Sequence, residues 1–186
     1  MSGVFRPVAL KLDSIEIPIY EALDYNESIQ GKGGLALLRT VKGLGIRQSA
    51  WKKRVIQISG GGSLPSALGE IDTDVSHVLS LAMPRSIQQL APLVTFTVPA
   101  AHRTDLTLTQ GGVSAEGYAV MNRDEFIVQT PVVSFVGNTV VITAVTGAIA
   151  YRVNYWPKFT VYIDPPSDEM DIRAAEHGWS LTAEEI

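Results

Sequence analysis

The stretch 132-VVSFV-136, Gly137-Asn138, 139-TVVIT-143 decides the fold class. Two β-branched runs flank a pair of residues that accept the positive φ angles of a two-residue turn, the signature of a β-hairpin. The same period of two runs outward along the chain. Val94, Phe96 and Val98 share one face of 94-VTFTV-98, and Ile15, Ile17 and Ile19 share one face of 15-IEIPI-19, with Pro18 directed away as on an edge strand. Val8, Leu10 and Leu12 alternate with Ala9 and Lys11, and Leu106 and Leu108 alternate with threonines. In 151-YRVNYWPKFTVYI-163 the apolar residues Tyr151, Val153, Tyr155, Phe159, Val161 and Ile163 fall on one parity with Pro157, which predicts a long half-buried strand with a proline-marked edge or kink. Glycine turns at 31–34, 43–45, 60–62, 111–112 and 147 separate these runs. About ten short strands with regular turn signals predict a mainly β protein, a β-sandwich or small barrel of antiparallel strands.

Helix signals are few. A short turn is expected over 85-RSIQQLA-91, and 35-LALLRTVKG-43 fits either a short helix or a strand. A C-terminal helix is expected over 167-SDEMDIRAAEHG-178, with Ser167 as its cap, Asp168, Glu169 and Asp171 in its first turn and Gly178 at its end. Pro165-Pro166 marks a boundary between one β-sandwich domain, 1–164, and an acidic extension, 165–186.

The composition narrows the function. The chain has 186 residues and no cysteine, which excludes disulfides, thiolate metal sites and cysteine nucleophiles. A net charge of −4 argues against general electrostatic binding to nucleic acid. Only 18% of residues are charged, as when part of a surface is covered by a partner. The opening MSGVFRPVALKLDSIEI has no long apolar core and is not read as a signal peptide. No window approaches ~18 uninterrupted apolar residues, so no membrane helix is expected.

The motif that most invites a catalytic reading is 51-WKKRVIQI-58 followed by 59-SGGGSLP-65. A phosphate-binding loop needs Gly-Lys followed by Ser or Thr. The only Gly-Lys is Gly31-Lys32, with Gly33 in the hydroxyl position and Asn26 where the first glycine belongs. The dinucleotide fingerprint fails at Pro65. The glycines therefore predict a sharp strand exit or bulge, with Gly61 where a neighbouring chain approaches. His77, His102 and His177 show no metal-ligand spacing, and His102 is expected in a surface loop. Asp72 and Asp74 form a short Asp-x-Asp pair, too few ligands for a cation site. No Gly-x-Ser-x-Gly elbow surrounds Ser63. No enzyme activity and no cofactor are expected.

What remains are candidate contact residues. Lys52, Lys53 and Arg54 are either an exposed strand start or a contact for an acidic partner such as Asp168 and Glu169. Arg103 and Asp105 form either a loop salt bridge or a subunit contact. Trp51 and Trp156 are candidate exposed rings, Trp156 lying on the parity opposite the apolar face of its strand.

The run 38-LRTVKGLGIRQSAWKKRVIQISGGGSLPSALGEID-72, then 81-LAMPRSI-87, 98-VPAAHRTD-105 and 150-AYRVNYWPKFTVYI-163, resembles small tail-associated structural proteins of long-tailed bacteriophages. The resemblance lies in a Trp-basic, apolar-strand, glycine-rich block, a Pro-Arg-Ser-Ile segment, and a closing strand with Tyr155-Trp156-Pro157-Lys158. It implies a non-enzymatic virion subunit that forms a homo-oligomeric ring in the tail tube, distal tail or baseplate and joins other tail proteins. Such a subunit is made in the host cytoplasm, needs no membrane, and meets DNA only as passing cargo. The alternative is a carbohydrate- or receptor-binding β-sandwich module.

Overall fold

A computed structural model describes residues 8–17, 24–99, 101–106, 108, 113–121, 127–171 and 176–186. The described residues are strands and turns throughout, with no helix among them. The chain divides into two compact units. One comprises the chain up to Lys11 with Ser80–Phe159, the other Leu12–Leu79 with Thr160–Ile186. Strands are numbered in chain order, β1 to β15.

The first unit is a small β-sandwich. One sheet orders β10 (Val132–Val136), β11 (Thr139–Ile142) and β7 (Thr95–Thr97); the other orders β6 (Arg85–Leu90), β12 (Ala150–Tyr155), β8 (Ala115–Val120) and β9 (Ile127–Thr130). All the pairings are antiparallel. The β10–β11 hairpin turns at Gly137-Asn138, and Gly137 takes a φ of 56°, which favours glycine. The core joins Phe96, Val98, Val132, Val140 and Ile142 to Ala115, Ala119, Tyr151, Val153 and Tyr155. This is the apolar parity read from the sequence.

The second unit is organised around a larger sheet ordered β2 (Ile15–Ile17), β1 (Leu10–Leu12), β5 (His77–Ser80), β13 (Lys158–Ile163), β15 (Glu176–Glu185), β4 (Gly45–Gly62), β3 (Asn26–Arg39), with β14 (Ser167–Asp171) also paired to β15. Its dominant feature is the β3–β4 hairpin. β4 runs 18 residues and β3 runs 14. The ladder continues from Asn26↔Ser59 to Arg39↔Gly45, with one irregularity after Gly34.

Several sequence expectations change. The C-terminal helix is absent; β14 and β15 form an antiparallel pair from Ser167↔Ser180 to Asp171↔Glu176, and residues 172–175 lie outside the described residues. Trp179, Leu181 and Ala183 are buried on alternate positions of β15, a period of two that outweighs the acidic helix-start pattern. Residues 165–186 are therefore no appendage, since β15 is hydrogen-bonded to β4 along Glu184↔Val55 to His177↔Gly62. The segment 85–90 is strand rather than turn, paired with β12, and 35–39 is strand. The long strand over 151–163 is two strands, broken at Trp156-Pro157 and placed in different sheets. Ile19 and Pro18, the turn at 111–112 and Thr107 lie outside the described residues.

Candidate functional site

The two ends of β4 lie beside chemically opposed regions. β15 pairs with β4 from Val55 onward, so among the described residues β4 between Gly45 and Arg54 is paired to β3 alone. At ~3.3 Å per residue, this leaves a two-stranded ribbon reaching about 30 Å past the sheet. Its side chains are exposed from Ala36 to Lys52. Leu38 faces Ile46 across the ladder on one face, while Leu37 opposite Arg47 takes the other. Val41 and Leu44 stand exposed at the tip. Apolar residues thus project on both faces of a ribbon that has no core of its own.

The base of this arm is basic. Lys32, Arg47, Lys52, Lys53 and Arg54 surround a depression of about 430 Å³ together with Glu185. Lys32 Nζ donates to Glu184 Oε2 at 2.7 Å, and Arg54 Nη1 lies 3.6 Å from Glu185 Oε1. The hydrogen bond from Lys32 holds the Glu184 carboxyl below its ordinary range, against the opposing effect of desolvation. The C-terminal carboxylates thus neutralise part of the patch, and they come from β15 rather than from Asp168 or Glu169. Trp51 is 45% exposed, and its indole lies close enough to Gly34 that a Cβ there would stand 2.7 Å from Nε1.

The far end of β4 lies beside carboxylates from other segments. Gly60, Gly61 and Gly62 lie inside the strand, paired to Trp179, Gly178 and His177, so they are not a strand exit. The chain that approaches Gly61 is the protein's own β15, with the His177 carbonyl oxygen 3.3 Å from where a Cβ would sit. Beside these glycines is a recess of about 560 Å³ lined by Asp24, Glu169, Asp171 and Glu176. Glu169 pairs with Gly178 and Asp171 with Glu176 on the recess side of β14, while Asp168 alternates to the opposite side. All of these carboxylates are exposed.

Arg103 and Trp156 are buried inside the first unit, while Asp105 is exposed and tied to Arg103. The Arg103 side chain is fully buried. Its Nε and Nη2 donate to the two oxygens of Asp105 at 3.0 and 2.7 Å, and Nη1 donates to the carbonyls of Ala9 and Leu81 at 2.7 and 3.1 Å. The Arg103 hydrogen bonds hold Asp105 far below the carboxylate range, with burial opposing and Lys11 at 3.3 Å assisting. Trp156, expected to be exposed, is 1% exposed and donates its Nε1 to the Ala82 carbonyl at 3.0 Å. Because the strand breaks at Pro157, the parity argument that placed this ring outside does not apply. It cannot serve as a sugar-stacking platform.

A buried histidine was missed in the sequence. His77 Nδ1 lies 2.7 Å from Asp13 Oδ2 and Nε2 lies 2.6 Å from the Asp72 carbonyl oxygen, while Asp13 Oδ1 accepts from the Val78 N–H at 2.7 Å. Partners 64 residues apart leave no local signal. Both ring nitrogens face acceptors, so the ring donates twice and carries a proton. Burial pulls the His77 pKa down, but the hydrogen bonds to Asp13 and Asp72 raise it overall. With no free ring nitrogen, His77 cannot act as a general base. Asp72 accepts from its own Asp74 N–H at 3.0 Å, a local turn rather than half of a cation site. Among the described residues, no group of three or more His, Asp or Glu side chains could hold a metal ion. His102 stacks on Phe135, ring centroids 4.6 Å apart, and its Nδ1 lies 3.0 Å from the Pro99 carbonyl oxygen.

No family model matches this chain, and no curated protein matches it in sequence.

Proposed function

We propose that the protein is a structural, non-enzymatic subunit of a long-tailed bacteriophage tail, which self-assembles into a ring in the tail tube or distal tail and joins neighbouring tail proteins. The observation that carries this reading is the uncovered β3–β4 arm, with Leu37, Leu38, Val41, Leu44 and Ile46 all exposed. A two-stranded ribbon is marginal in water by itself, and exposed apolar strands are an aggregation hazard in a monomer. Covering the ribbon with another subunit removes both costs. Contacts that repeat head to tail close into a ring when the rotation permits. The sequence resemblance supplies the tail setting; the sandwich core and the buried roles of Arg103 and Trp156 fit a scaffold better than a ligand site.

Light scattering and negative-stain images across a concentration series test this. Rings, alone or with tail partners, are expected. Monomers at every concentration and with every tail protein tried would remove the assembly reading.

A further inference from the structure

The charge of this chain is segregated. Seven of its fifteen Lys and Arg residues lie between Lys32 and Arg54, and no Asp or Glu occurs between Glu27 and Glu70. Seven of its nineteen carboxylates lie from Asp164 to Glu185. The fold sets the two groups side by side in one sheet, because β15 pairs with β4. Glu184 and Glu185 are used within the chain, against Lys32 and Arg54. That leaves an exposed basic arm carrying Arg39, Arg47 and Lys52, and an exposed acidic recess carrying Asp24, Glu169 and Glu176. From Lys53 to Gly61 is about 26 Å along the strand at ~3.3 Å per residue, too far for the poles to satisfy one another.

From this we infer that the arm of one copy docks on the acidic recess of a second copy, a head-to-tail contact made by two different surfaces of the same chain. The inference rests on the self-assembly reading and names its interface. Charge complementarity selects the occupant: the recess is a pole of opposite sign on the same molecule, present at the same concentration as the arm. The recess is lined in part by Gly61 and Gly178, and no side chain crowds either position, so long basic side chains can reach between the carboxylates. Its volume of about 560 Å³ takes a few such side chains. Because the two surfaces differ, the contact is heterologous and leaves one free pole at each end of an open oligomer, which is the condition for continued growth or ring closure.

The test is a charge swap in the full chain. Arg39→Glu, Arg47→Glu, Lys52→Glu and Lys53→Glu together reverse the arm, and Asp24→Lys, Glu169→Lys and Glu176→Lys together reverse the recess. Circular dichroism confirms that both variants fold. Each alone should weaken assembly by more than about tenfold in concentration, since like charges then oppose at every contact. Mixed in equal amounts they should assemble again with the two variants alternating, because each arm then meets a recess of opposite sign. The absence of native cysteine gives a second arm: Lys52→Cys with Glu169→Cys should yield a ladder of disulfide-linked multimers on oxidation. If wild-type rings form and both reversed variants still form them unaided, this interface is overturned while self-assembly stands. If the wild type is monomeric throughout, both fall. If it is monomeric and shifts a duplex oligonucleotide in an arm-dependent way, the occupant is nucleic acid and the inference is likewise overturned.

Discussion

The indole of Trp179 fills the space that a side chain on Gly60 would need: a Cβ there would stand 2.6 Å from Cζ2 and 2.8 Å from Cε2. The two residues are register partners in β4 and β15, and Trp179 is buried. The fold therefore requires a bare residue at Gly60 more than at Gly61. Gly60→Val should cost at least about 1–3 kcal/mol through overpacking, and Trp179→Ala about 3–5 kcal/mol through the cavity it leaves. Gly61→Ala, which meets only a carbonyl oxygen at 3.3 Å, should cost less than Gly60→Val. Thermal melting of the three variants checks the order. A Gly60→Val protein melting with the wild type would refute the packing.

Arg103 is a fully buried cation with four named acceptor contacts. Arg103→Ala removes two donors from Asp105, which keeps Lys11, and one from each of the Ala9 and Leu81 carbonyls, and should destabilise by about 1–3 kcal/mol. Arg103→Lys cannot reproduce the two-pronged contact and should recover only part of the loss. Urea unfolding measures both. A loss under about 0.5 kcal/mol, the range of neutral surface changes, would show that the tie is dispensable.

Asp105 supplies a test in acid. Its folded pKa lies below its unfolded value, so its contribution is present above pH ~4 and falls away as the pH drops below that value toward the lowered one. Urea midpoints between pH 5 and pH 2 should decline less steeply in Asp105→Asn, which starts from lower stability.

His77 gives the opposite sign. Its folded pKa is raised, so its contribution is complete below the unfolded value of ~6.5 and is lost as the pH rises through the folded value. Asp13 is pulled the other way: burial raises its pKa, and the Val78 N–H and His77 together lower it overall. The pair is therefore most stabilising between about pH 4 and pH 6.5. Asp13, Asp72 and Glu70 are the charged groups around this pocket. Nitrogen-15 spectra at pH 6 should show both ring nitrogens of His77 protonated, and His77→Gln should flatten the stability profile above pH 6.5. A neutral ring at pH 6 would contradict the double donation.

Removal of residues 165–186 tests whether the C-terminal segment is an extension or part of a sheet. β15 lies between β13 and β4 in the strand order and buries Trp179, Leu181 and Ala183. A chain ending at Asp164 should lose its cooperative melting transition or precipitate. A soluble, cooperatively folded product would show the strand to be dispensable.

Strand periodicity was legible because it is local. The alternation of Phe96 and Val98, of Tyr151, Val153 and Tyr155, and the Gly137-Asn138 turn need only the pleat and the sign of φ to be read. The departure from the phosphate-loop pattern is local in the same way, since Gly33 and Pro65 occupy positions where that chemistry needs other residues. Tertiary structure decided what depended on distant partners. Ser167–Asp171 has the composition of a helix start, yet it is a strand because β15 offers a ladder and β4 offers bare glycines for Trp179. Trp156 turned inward where the strand broke, and Arg103 was buried by carbonyls from Ala9 and Leu81. The sequence by itself determined a mainly β chain with a basic stretch and an acidic end. Only the folded sheet decided that these lie along one strand, partly neutralised by Glu184 and Glu185, because pairing between residues more than a hundred positions apart is set by packing and not by local preference.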